Sequence, residues 1–285
     1  MIKIGNYPRP LTEFQIKTYN GFLNASSRIK KEFNLTPRIK GGNLIETSKN
    51  LEKFHPSSDE IEDFFYGVIK GQIDYTQNSH KVPDQYKEFV EGANKCLRST
   101  IKPFGITIDE MPEVLFINSK DLNKKVYGMA LPYINKSLIT YDADNDNFHI
   151  IQAILHENLH NISFGLWGPL DEGVTEFLSI INLINFKTIN PTIDYQNIKH
   201  FLTPKVEYKS ELDLVKIFAD NNTLTELLTA YFNGDDTSLA EKIGKSNWNN
   251  LRELAMKYSL NCWRADNYFL DSTQKIFSKD NPLST

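Results

Sequence analysis

Apolar residues recur at helical spacing along most of the chain, and only a short middle stretch carries runs of aromatic and β-branched residues that read as strand. Residues 11–34, 59–75 and 82–102 each carry an apolar stripe every three to four positions and predict helices, with Gly41-Gly42 and His55-Pro56-Ser57-Ser58 breaking the connections. Residues 106–108 and 114–118 are short β-prone runs around Met111-Pro112. Residues 126–133 and 137–142, parted by Asn135-Lys136, predict a β-hairpin or two neighbouring strands. The segment 148–164 then predicts one amphipathic helix, striped by Ile151, Ile154, Leu155, Leu159 and Ile162. Asp144, Asp146 and Asn147 are its candidate N-caps, and Gly165, Gly168 and Pro169 stop it. A second apolar segment runs through Ile184, and helices near 209–220, 222–232, 236–243 and 247–259 follow Pro191 and Pro204. This pattern predicts an α+β, helix-rich chain with a small sheet. A helical N-terminal extension is expected over 1–103 and a catalytic domain over 104–285. Within that domain, the small mixed sheet and the active-site helix reach to about 165, and a helical C-terminal lobe follows.

Composition narrows the class without deciding the function. The 285 residues are 40% hydrophobic and 24% charged, values of a globular protein with room for sizeable cores. A net charge of -4 favours neither nucleic acid nor an anionic membrane as partner, and Arg28 to Lys31 reads as a solvated helix face. No apolar run approaches the roughly 20 residues of a membrane span. Met1-Ile2-Lys3-Ile4-Gly5 lacks an apolar signal core, and Cys96 and Cys262 are few and far apart, so reduced thiols in a cytoplasmic setting are expected. Asp142-Ala143-Asp144-Asn145-Asp146 opens like a calcium loop but lacks the later Gly and Glu, and reads as capping and turn chemistry.

The candidate chemistry lies on the 148–164 helix. His156-Glu157-Asn158-Leu159-His160 places two histidines four residues apart, one turn above the other on one face. Their nitrogens can share one metal ion, with Glu157 poised as general base for a zinc-activated water. Such a string arises by chance in roughly one chain in a hundred of this length, but here it sits on a strongly amphipathic helix. Catalytic zinc takes three protein ligands, and Glu172 follows at the start of the next helix, with Glu176 four residues on along the same face. Glu172 is assigned to the metal and Glu176 to an orienting hydrogen bond on His156.

His156-Glu157-x-x-His160 followed by Asp171-Glu172-Gly173-x-x-Glu176 resembles the gluzincin metallopeptidases, the group of thermolysin and the zinc aminopeptidases. The likeness is specific over about 148–178. Asp171 stands where that family usually has Asn, and the spacing to Glu172 is shorter than in thermolysin. The resemblance implies a zincin-like core, one Zn²⁺ per chain and a polypeptide substrate paired along the sheet edge Gly128-Met129-Ala130-Leu131. It also implies an oxyanion donor, for which Tyr208 and Tyr231 are the candidates, ahead of Tyr258 and His200. The family's aminopeptidases carry an acidic residue near that edge, and none occurs in Tyr127 to Asn135, so an endopeptidase is favoured. Two other readings remain open. One is a catalytically silent zinc- or peptide-binding module, or a zymogen-like protein with its N-terminal helices in the cleft. The other is a metal-dependent hydrolase of a non-peptide substrate. Oligomeric state is not legible.

Overall fold

The computed structural model describes residues 10–121, 127–141, 147–191, 208–261 and 265–277. Four helices and one short strand come first: α1 (Glu13–Phe33), α2 (Gly41–Glu52), α3 (Ser58–Tyr75), β1 (His80–Lys81) and α4 (Lys87–Ile101). Three strands follow, β2 (Glu113–Asn118), β3 (Gly128–Leu131) and β4 (Lys136–Tyr141). Then come α5 (Asn147–Ile162), α6 (Gly168–Ile189), α7 (Lys209–Asp220), α8 (Leu224–Asn233), α9 (Thr237–Ile243), α10 (Lys245–Asn261) and α11 (Asn267–Phe277). The architecture is α+β and helix-rich, with one small mixed sheet.

Local signals explain most boundaries. Thr12 and Ser57 each accept a backbone N–H on the side-chain oxygen and donate their own backbone N–H to the side chain of Gln15 or Glu60, a capping box, so α1 and α3 begin sharply. Asn34 ends α1 in the left-handed region, where its short polar side chain is tolerated. The sheet runs β1-β2-β4-β3, with β2 and β4 parallel and both outer pairings antiparallel. Central strand β2 is apolar on both faces, as a strand covered on both sides must be. Val114 and Phe116 join Ile139 against α4 and α5 in the main core, whereas Leu115, Ile117 and Leu138 meet α1 and α3 in a second core. Helix α4 packs against α5 and α6, across the 103/104 division.

Several elements differ from the pattern. Residues 106–108 form no strand; Ile106 and Ile108 instead pack their side chains on the main core. Helices α2 and α11 and strand β1 were not expected. Gly41-Gly42 does not break the chain but opens α2, because the helix start presses against the turn after α5. A β-carbon on Gly41 would lie 2.0 Å from the Phe164 ring, and one on Gly42 2.5 Å from the Phe164 carbonyl oxygen. Gly42→Ala should therefore lower stability by about 1–3 kcal/mol, since the backbone carbonyl cannot move aside and helix propensity returns at most about 1 kcal/mol. Urea unfolding tests this, and an unchanged or raised midpoint would contradict the close approach.

Some expectations fall outside the described residues: Val126, the capping loop 142–146, His200 and Cys262. Among the described residues no helix is long and apolar enough to cross a membrane. Cys96 is a free, buried thiol whose pKa burial pushes up to about 11.

Candidate metal centre

Helix α5 carries both histidines because its remaining faces are tied down. Ile150, Ile151, Ile154, Leu155 and Leu159 are buried in the main core. On the sheet side the pins are polar: Ser137 Oγ donates to Asn158 Oδ1 at 2.7 Å, and Asn161 Nδ2 donates to the Lys136 carbonyl at 2.9 Å. At the end of the helix Arg38 Nη2 donates to the Asn161 carbonyl at 2.9 Å, and Lys40 Nζ donates to the His160 carbonyl. Such cations satisfy carbonyls that the helix terminus leaves without partners. A turn through Gly165 then reverses the chain, and α6 starts at Gly168 with Pro169 in its first turn, where the missing N–H costs nothing. Antiparallel packing of α6 on α5 brings Asp171, Glu172 and Glu176 to the histidines. Gly173 permits the fit on the other side, since a β-carbon there would lie 2.4 Å from the Glu211 carbonyl oxygen of α7.

The resulting geometry is compact. His156 Nε2 and His160 Nε2 stand 3.1 Å apart, and each is 3.4 Å from Glu172 Oε2. These three residues are the His/Asp/Glu/Cys group among the described residues able to hold a metal ion. His156 Nδ1 lies 3.2 Å from Glu176 Oε2, and His160 Nδ1 lies 2.9 Å from Asp171 Oδ2. Each ring thus has a carboxylate on Nδ1, which fixes the tautomer with the proton there and leaves the Nε2 lone pair facing inward. Asp171 works twice, because its other oxygen accepts the Leu166 N–H at 2.6 Å and ties down the turn. The sequence predicts this orienting role for Glu176 alone, and Asp171 shares it.

Three acceptors that face one another at this range require a positive charge between them. Donors about 2.0–2.1 Å from a tetrahedral ion lie about 3.3 Å from one another, which matches the 3.1 and 3.4 Å separations observed. Glu172 Oε2 is buried and has no partner closer than the two ring nitrogens 3.4 Å away, a need that a shared ion would meet. Without an ion, protons compensate. Burial disfavours a charged His156, but Glu172 and Glu176 outweigh it and raise its pKa to about 9. His160 is raised well above its ordinary value by Glu172 and Asp171, again against burial. Glu172, although buried, is held far below the carboxylate range by the two rings. The residues fit a divalent, nitrogen-preferring ion.

No family model, curated protein or solved structure matches the chain. The site therefore stands on its own chemistry. It opens into a cleft of about 600 Å³. One wall is β3, an edge strand of the sheet. Thr140 N–H donates to the Tyr127 carbonyl, so Tyr127 and Thr140 form a bonded pair. Bonded pairs alternate in an antiparallel ladder, so Met129 and Leu131 turn their backbone groups to β4, and Gly128 and Ala130 turn theirs outward. Glu157 reaches this edge and accepts the Ala130 N–H, while burial raises its pKa. Gly128 makes room for it; a β-carbon there would lie 2.6 Å from Glu157 Cγ. Asn43, Glu46 and Thr47 of α2 and Gln72 of α3 also line the cleft.

The tyrosine candidates separate. Tyr208 lines the cleft and stacks on His156, with ring centroids 5.4 Å apart and planes 14° from parallel. Tyr231 is fully buried behind the site, its hydroxyl 2.7 Å from Thr175 Oγ1. Tyr258 donates to Asp266 at 2.6 Å and does not border the cleft.

Proposed function

We propose that this chain is a zinc-dependent metallopeptidase of zincin-like architecture, with endopeptidase action favoured over aminopeptidase. The observation that carries this reading is the facing trio His156 Nε2, His160 Nε2 and Glu172 Oε2, each ring backed by its own carboxylate, at the mouth of a cleft walled by an edge strand. His156, His160 and Glu172 would hold the ion. When bound, Zn²⁺ supplies Lewis acidity that polarises a carbonyl and acidifies water.

The chain's own residues account for the remaining steps. Gly128 presents its outward N–H and carbonyl, and Ala130 its outward carbonyl, to an extended substrate, the Ala130 N–H being held by Glu157; pairing of this kind recognises peptide backbone with little demand on side chains. Glu157 takes the proton of the attacking water on its carboxylate and delivers it to the nitrogen of the departing amine. Desolvation raises its pKa above the ordinary carboxylate value, which makes it a stronger base toward water. Of the tyrosine candidates for a developing oxyanion, Tyr208 is the one that lines the cleft, stacked on His156. Glu176 and Asp171 keep the rings aimed while charge shifts at the centre.

Elemental analysis of the purified chain and mass-spectrometric readout of a random peptide library test this together. One zinc per chain and internal cleavage are expected. Cleavage confined to the first residue would shift the assignment to an aminopeptidase. Zinc without any cleavage would favour a binding module.

A further inference from the structure

We infer that Lys40 is a positioning residue of the metal centre, joining the N-terminal helices to the ligand pair His160 and Glu172; this rests on the metal-centre reading above. Lys40 is the residue immediately before α2, far from the ligands in sequence. Its Nζ donates to the His160 carbonyl and lies 3.4 Å from Ser163 Oγ. A β-carbon built on Gly165 would sit 3.5 Å from Lys40 Nζ and 3.4 Å from Asp171 Oδ1, so the ammonium and the carboxylate flank the same glycine. One cation thus touches the last turn of α5 and the reversal after it, and it faces the carboxylate that orients His160. Burial pushes the Lys40 pKa down to about 8, and attraction to Asp171 opposes that fall. Lys40 is itself held firmly. Arg38, two residues earlier, donates to Asn161 and Pro132 carbonyls, and its own N–H donates to the Tyr133 carbonyl. On the other side Gly41 and Gly42 lie against Phe164.

Charge and geometry make opposite demands when Lys40 is replaced, which allows them to be told apart. Loss of a nearby cation would by charge alone tighten binding of a divalent ion. Loss of an outer partner that orients a ligand loosens binding, typically by 10–100-fold. Lys40→Arg keeps the charge but cannot place a planar guanidinium where a compact ammonium now bridges His160 and Ser163. A weakening in this variant therefore reports position alone.

Zinc affinity by chelator competition and the visible absorption of the Co²⁺-loaded chain provide the two readings, neither dependent on turnover. K40R is expected to bind zinc about tenfold or more weakly and to show altered Co²⁺ bands, because the Co²⁺ spectrum follows ligand geometry. Wild-type affinity and bands in K40R would overturn the positioning role. If K40R does not fold, K40M decides by its Co²⁺ spectrum: altered bands support the role, and unchanged bands overturn it. A wild-type chain that takes up neither Zn²⁺ nor Co²⁺ would overturn the metal-centre reading instead, and this one with it.

Discussion

Replacing Glu157 by Gln is expected to leave zinc content unchanged and to lower peptide hydrolysis by about 10²–10⁴-fold. The amide keeps nearly the size and shape of the carboxyl, so the snug contact with Gly128 survives. Its oxygen can still accept the Ala130 N–H that Glu157 accepts. None of the trio of facing donors is touched. What disappears is the ability to take a proton from water and hand it to the leaving nitrogen. Parallel zinc analysis and initial rates on a cleaved library peptide check this. Full activity in the variant would remove Glu157 from the mechanism, and loss of zinc would assign it a structural role instead.

Zinc is expected to raise the melting temperature of the chain by an amount that grows between pH 6 and pH 9, and His156→Ala to abolish the effect. An ion that binds only the folded chain, at a hundred times its dissociation constant, stabilises by about 2.7 kcal/mol. The pH trend follows from competition for one nitrogen. In the metal-free fold His156 has its pKa raised to about 9, so its protonated form stabilises that fold fully below about 6.5, and the contribution fades as pH passes through about 9. Metal binding requires that proton to leave, so apparent zinc affinity climbs over the same interval. The two slopes oppose each other, and the zinc-induced shift widens with pH. Calorimetry with zinc and with chelator, at several pH values, gives the answer. A shift that narrowed as pH rose, or one that persisted in His156→Ala, would contradict the ligand assignment.

The parts of the site legible in the sequence are those that depend on spacing within a helix. His156 with His160, and Glu172 with Glu176, are four residues apart, and helical geometry alone puts each pair on one face. The β3–β4 hairpin was legible because its aromatic and β-branched runs are parted by Asn135, which adopts the left-handed conformation a tight reversal needs. Asp171 was visible as an acid, but its bond to His160 depends on how the turn at Gly165 aims α6. Lys40 and Arg38 carried no signal at all, because a lone cation before a Gly-Gly pair looks like any loop. Helix α2 was hidden for the same reason: Gly-Gly reads as a breaker until Phe164 is found lying against it. Strand β1 has two residues, too few for any periodicity. Choosing among 13 tyrosines needed the cleft itself, which brings Tyr208 to its rim and leaves Tyr231 behind the site.

The candidate metal centre and the α2 side of its cleft differ in how far along the chain their contacts reach. The three residues proposed to hold the metal, and the two carboxylates against their rings, all lie between His156 and Glu176. The contacts that tie the start of α2 to them, such as Lys40 with His160, span 120 residues. Closing a long loop costs more entropy than closing a short one, and contacts distant in sequence form more slowly. During refolding the His156, His160 and Glu172 cluster can therefore gather from its own two helices well before the cleft exists, so on the proposed reading the metal centre would form ahead of the substrate cleft.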